Sequence, residues 1–221
     1  SYLKVIRTWQ GKAKTVLCMD NKWLGTLKQR LACYVAQFYL PKVFDYIWVP
    51  YRQHAKFAKK MGFKSDRIKL GFYSGNTSKF NALYSKKTSI EFPKVFICVA
   101  RYIPQKNLGV LWDAFVEISN ERKHDWELWN LGKGQEFDSR TEHSKIKHHG
   151  FVQPKDMDDV ILTSGVFVLP SLFEPWGVVV HEFASAGFPM VVSDHVGAQA
   201  AFVEHEKNGY VFDPHNKKEL K

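Results

Sequence analysis

Short apolar runs rich in β-branched and aromatic residues alternate with longer amphipathic stretches along almost the whole chain. The runs at 15–19, 46–50, 68–73, 95–100, 126–131, 146–152, 165–170, 189–193 and 210–212 predict strands. The stretches at 27–38, 51–61, 108–119, 156–163 and 177–186 predict helices. Most of the runs are apolar throughout, which belongs to strands covered on both faces, as in parallel sheets. Parallel strands joined by right-handed helical crossovers build doubly wound α/β layers. Residues 74–93 break the rhythm: they are polar, show no clear period and end at Pro93 before a fresh strand. That stretch predicts a passage between two α/β units, with about three strands before it and six after. The expected division is 1–85, a linker over 86–94, and 95–221.

Composition narrows the class. Of the 221 residues, 45% are hydrophobic and 24% charged, an ordinary globular balance. No apolar run approaches the roughly 18 residues of a membrane span, and the first residues lack the apolar centre and small-residue site of a signal peptide. The three cysteines have no metal-ligand spacing, and Cys18 and Cys98 lie in apolar runs. Both are expected to be buried thiols of a reducing compartment, which places the chain in the cytoplasm. The formal charge of +10 is the unusual figure. Its lysines fall in scattered pairs, Lys59-Lys60, Lys86-Lys87 and Lys217-Lys218, and read as solvated surface rather than as a nucleic-acid footprint. Peripheral contact with an anionic membrane stays open.

Candidate chemistry concentrates in residues 166–194. A buried strand ends at Pro170, and Pro175 pushes Glu174 out of the helical region, so that carboxylate belongs to a loop. A helix starting near Gly177 would offer the free N–H groups of Val178 and Val179 to an anion, with the glycine admitting a ligand to the backbone. Glu182 lies in the second turn, eight residues beyond Glu174, at most ~12 Å along the helix. That spacing suits one carboxylate at a sugar and the other at a ribose, with a diphosphate between. A second cluster, Arg101 to Asn107, follows the strand at 95–100, where open α/β sheets place ligands. Weaker candidates are the Gly132-Lys133-Gly134 turn, the strand end at 149–152 with Phe151 and Val152, and a glycine turn at 196–198. Two tempting motifs fail. His181-Glu182 is followed by Ser185 where a zinc-protease helix needs histidine, and His148 and His149 are adjacent strand residues that point to opposite faces.

These stretches resemble the retaining glycosyltransferases of family 4, whose GT-B fold is two Rossmann-like domains. Their hallmark is a Glu, a nearby Gly and a second Glu eight positions on, here Glu174, Gly177 and Glu182. The resemblance is close over 94–213 and looser over 18–23 and 46–50. It implies that 1–85 is the later, incomplete part of the acceptor-side domain, with Asp20 as its cleft-facing carboxylate. It also implies that 95–221 is the donor-binding domain without its last helices. Arg101 and Lys106 would grip a donor diphosphate and, with Glu174, serve catalysis, two cations neutralising the leaving group as its charge develops. Gly132, Phe151, Val152, Gly177, Val178, Val179 and Glu182 would complete the nucleotide-sugar site. No metal and no cofactor are expected beyond the donor itself, and the acceptor, whether glycan, lipid or small molecule, stays unnamed. With so little acceptor side, the chain is expected to bind donor without transferring sugar. A GT-B sugar-nucleotide epimerase and a basic binding protein are the alternatives.

Overall fold

The computed structural model describes residues 2–87 and 91–221, which divide into two compact units, Ser1–Ser74 and Gly75–Lys221. Of the expected linker at 86–94, residues 88–90 lie outside the described residues.

The first unit runs α1 (Tyr2–Trp9), β1 (Val16–Cys18), α2 (Leu27–Val43), β2 (Tyr46–Val49), α3 (Arg52–Lys60) and β3 (Ile68–Leu70). Its three strands form a parallel sheet in the order β1-β2-β3. Ile47 and Val49 of the central strand are fully buried against Phe57, Met61 and Phe63. Thr26 caps α2, its hydroxyl oxygen accepting the Gln29 N–H at 3.2 Å. The helix continues past 38 and through Pro41, where the Arg67 guanidinium donates to the Pro41 carbonyl at 2.8 Å. A proline so near the end disturbs few intrahelical bonds, which is why the helix outruns its expected limit. The cysteine expectation needs one correction. Cys18 is exposed, because β1 is an edge strand, while Cys33 and Cys98 are buried. Burial pushes the Cys98 thiol up to about 12.

The second unit contains α4 (Thr77–Lys87), β4 (Val95–Val99), α5 (Leu108–Glu121), β5 (Glu127–Leu131), β6 (Ile146–Gly150), α6 (Met157–Leu162), β7 (Val166–Leu169), α7 (Val178–Ser185), β8 (Met190–Ser193), α8 (Gln199–Phe202), β9 (Gly209–Phe212) and α9 (Lys217–Leu220). Its six strands are all parallel, in the order β6-β5-β4-β7-β8-β9. The chain winds outward from β4 to one edge, returns to β7 and winds to the other. This is the doubly wound Rossmann order, and its direction reverses between β4 and β7. Ile97, Leu128, Phe167, Leu169 and Val192 are buried to zero within it.

The polar passage at 74–93 is corrected most. Residues 77–87 are helical, and the helix belongs to the second unit, with Phe80 and Leu83 buried and Phe80 6.2 Å from the Phe183 ring. Lys79 adds an ion pair to Asp158 at 2.7 Å. Two buried positions one turn apart are too few to set a visible period. Among the described residues no helix is long and apolar enough to cross a membrane.

Candidate functional site

In a parallel sheet every strand delivers its following loop to the same edge. Arg101 and Lys106 therefore follow β4, Gly132 follows β5, Phe151 and Val152 follow β6, and Glu174 and Gly177 follow β7, all at the carboxyl edge. The crevice between β4 and β7 is flanked by two loops that hydrogen bonds lace together.

After β4 the chain makes a 3-10 turn, Pro104–Lys106, and reaches Asn107 in a left-handed conformation (φ 56°) before α5 begins. The Leu172 N–H donates to the Gln105 carbonyl at 2.9 Å, and Gln105 Nε2 donates to the Phe173 carbonyl at 2.6 Å. The Asn107 amide donates to the carbonyls of Pro170, at 3.3 Å, and Pro214, at 3.0 Å. From the other side, Ser193 Oγ donates to the Ser171 carbonyl at 2.7 Å. His195 Nδ1 faces the Leu172 carbonyl at 2.8 Å and so carries the proton. The Glu174 N–H donates to the His195 carbonyl at 3.2 Å, and the Glu174 carbonyl accepts the Gly197 N–H at 2.9 Å. The loop holding Glu174 is thus clamped between the loops after β4 and β8.

The clamp brings Lys106 Nζ against Glu174 Oε2 in a direct ion pair, with only 13% and 19% of the two side chains exposed. Lys106 was expected beside Arg101 on a diphosphate and Glu174 nearer a sugar. Their contact means that any anion reaching Lys106 shares it with Glu174. Arg101, by contrast, is exposed and enters no ion pair among the described residues. Phe151 is 62% exposed and Val152 partly buried.

Both glycines have structural duties that the sequence did not disclose. Gly177 adopts φ 92°, and a Cβ there would lie 3.1 Å from both Glu174 Cγ and Val196 Cγ1. Gly132 adopts φ 140°, and a Cβ would be driven into the Ala100 carbonyl oxygen. What approaches each closely is the chain itself. The first-turn amides of α7, those of Val178 and Val179, have no intrahelical acceptor. Glu182, on the next turn, is half-buried. Burial raises its carboxyl above the ordinary value of 4.5, the Lys79 charge opposing more weakly.

His148 is partly buried and held in place, its two nitrogens 2.9 Å from the Tyr102 hydroxyl and the Thr141 carbonyl, whereas His149 lies against Trp129 with ring centroids 5.0 Å apart. In the first unit, Asp20 accepts the Tyr73 hydroxyl at 3.0 Å. Burial, and then that carboxylate, push the phenol up to about 12. An open cavity of 880 Å³ at the amino-terminal edge of the larger sheet, lined by Phe96, Val166, Met190 and Tyr210, is remote from these groups. Gln105, Asn107, Ser193 and His195 had no role in the sequence reading, since their work is to hold distant carbonyls and carries no local pattern.

Residues 81–221 match the family model described as Glycosyl transferases group 1. An uncharacterized glycosyltransferase of Methanocaldococcus jannaschii is 28% identical over 167 residues, which cover 68% of this chain and 42% of that protein. Mannosylfructose-phosphate synthase of Agrobacterium fabrum is 25% identical over 142 residues, covering 58% and 31%. The chain thus spans less than half the length of either relative. The crystal structure of Anabaena HepE in complex with UDP has the same fold, with a TM-score of 0.74 at 17% identity over 98% of this chain and 63% of that one.

Proposed function

The chain belongs to the group 1 glycosyl transferases, and on that premise we propose that its second unit binds a nucleoside-diphosphate sugar for a retaining transferase of family 4. The observation that carries this is the switch-point crevice. It sets the exposed Arg101, the paired Lys106 and Glu174, and the amino terminus of α7 along one sheet edge. A diphosphate would lie between the Arg101 guanidinium, the Lys106 ammonium and the α7 amides. Glu182 would take the ribose hydroxyls, and Glu174 would stand nearer the transferred sugar. The base would reach the strand ends around Gly132, Phe151 and Val152.

As the glycosidic bond breaks, negative charge grows on the leaving diphosphate, and cations already in place stabilise it without reorganisation. Lys106 would turn part of its charge from Glu174 to the phosphate, leaving that carboxylate free to accept a sugar hydroxyl. Anabaena HepE has been crystallised with UDP and with UDP-glucose, so uridine is the base to try first.

Calorimetric titration of the chain with UDP, GDP and ADP tests the assignment. Arg101→Ala and Lys106→Ala should each weaken the preferred nucleotide by about 1.5–3 kcal/mol, the worth of a charge-assisted contact. Affinity unchanged from the parent in both variants, or no nucleotide binding by the parent chain, rejects it.

A further inference from the structure

We propose that Lys133 selects the base of the nucleotide, favouring uracil or guanine, whose edges present a carbonyl oxygen, over cytosine or adenine, which present an amino group there. Its role depends on the donor site proposed for the second unit. Lys133 stands at the exit of β5, one strand from β4. Its backbone is fixed from both sides. The Lys133 carbonyl accepts the Tyr102 N–H, next to Arg101, at 3.1 Å, and the Gly132 N–H donates to the Gly150 carbonyl at 2.7 Å. The side chain then crosses from the β5 exit to the β6 exit. Gly150, at φ 67°, leaves room for it: a Cβ there would lie 3.3 Å from Lys133 Cε. The ammonium is one bond beyond that carbon, beside the backbone that leads into Phe151.

That ammonium is available to a ligand. Lys133 is exposed, its ammonium makes no ion pair or hydrogen bond among the described residues, and the Phe137 ring lies 5.9 Å away. Neighbouring cations are already engaged, Arg140 with Glu142 and Lys147 with Glu127, each at 2.7 Å. Strands of a sheet lie about 4.8 Å apart, so the exits of β5 and β6 stand roughly 5 and 10 Å from that of β4. A diphosphate held at the switch point by Arg101, Lys106 and the α7 amides would extend its base, not its phosphates, toward those two exits. Phe151, 62% exposed, presents a ring against which the base can lie. A lysine ammonium only donates hydrogen bonds. Uracil and guanine meet it with an acceptor, O4 or O6, whereas cytosine and adenine meet it with an amino group, setting donor against donor. The discrimination is by chemistry rather than size, so a pyrimidine and a purine can share one preference.

Calorimetric titration with UDP, CDP, GDP and ADP is the test, with Lys133→Met and Lys133→Glu beside the parent chain. UDP should bind about tenfold more tightly than CDP, and GDP about tenfold more tightly than ADP, the worth of one charge-assisted contact near the surface. Lys133→Met should bring both ratios close to one by weakening UDP and GDP alone. Lys133→Glu should invert them, because a carboxylate accepts from the amino group and repels the carbonyl oxygen. Ratios near one or reversed in the parent, or left unchanged by both variants, overturn the proposal. So does an equal loss of all four nucleotides in Lys133→Met, which would assign Lys133 to the phosphates. Arg101→Ala separates these failures from a failure of the donor site itself, since it should weaken all four nucleotides alike and leave the ratios intact. A parent chain that binds no nucleotide overturns both the site and the role of Lys133.

Discussion

Lys106 and Glu174 make each other's burial tolerable, so removing one strands the other. With under a fifth of either side chain exposed, Lys106→Ala should lower stability by about 1–3 kcal/mol in urea unfolding. Lys106→Ala with Glu174→Ala should recover part of that, and the double-mutant cycle would show strong coupling. Glu182 works in the opposite sense. Its carboxyl is raised in the folded state, so between the ordinary value and the raised one the native chain holds the proton more tightly than the unfolded chain does. Stability from this group is complete below the ordinary value and is lost as pH climbs through the raised one. Glu182→Gln should accordingly stabilise the chain at neutral pH, confer nothing under acid conditions and, on the proposed role, weaken nucleotide binding. A variant that loses binding and stability together would mean that Glu182 is a structural group.

At the scale of elements, the turn after β5 is the most constrained. Gly132→Ala must place a methyl group against the Ala100 carbonyl in a conformation that L side chains avoid. The expected loss is at least about 2 kcal/mol in chemical denaturation. A neutral substitution there would show that the β4 and β5 exits are free to separate. The nine strands among the described residues were legible mainly because the central ones, such as β4 and β7, are short apolar runs buried on both faces of a parallel sheet, while edge strands such as β6 (Ile146–Gly150) showed mainly by their place in the alternation. Helix α4 was not, since it buries only Phe80 and Leu83 and draws further support from the ion pair of Lys79. Within the site, Glu174, Gly177 and Glu182 could be located because strand, loop and helix follow one another in sequence. The contact of Lys106 with Glu174 spans 68 residues and exists only once β4 and β7 lie side by side. Gly177 and Gly132 have a second duty that the sequence pattern does not carry. Beside the expected ligand role, each lets one stretch of backbone or side chain approach another, across contacts distant in sequence.

For the whole molecule, charge is segregated, with fifteen Lys and Arg against three Asp and Glu in residues 1–74 and seventeen against nineteen in residues 75–221, and this has a measurable outcome. Self-repulsion in a unit of formal +12 weakens its compact state, and salt screens it over about 10 Å at 0.1 M. Amides of β1 to β3 should gain protection from hydrogen exchange as salt rises, while those of β4 to β9 should change little. Equal gains in both units would mean that the charge is too well solvated to matter. Asn107 bears on a different quantity, which is time. Its amide spends one hydrogen on a carbonyl 63 residues later and the other on a carbonyl 107 residues later. On a ribosome adding about 5–20 residues per second, Lys106 would emerge several seconds before the second of these partners. Throughout that interval the loop after β4 would lack half its anchorage, and its two cations would be presented on an unfinished scaffold. The crevice consequently matures only after Pro214 has been made, and a pause in translation before Pro214 would leave a sheet largely formed around an unset site.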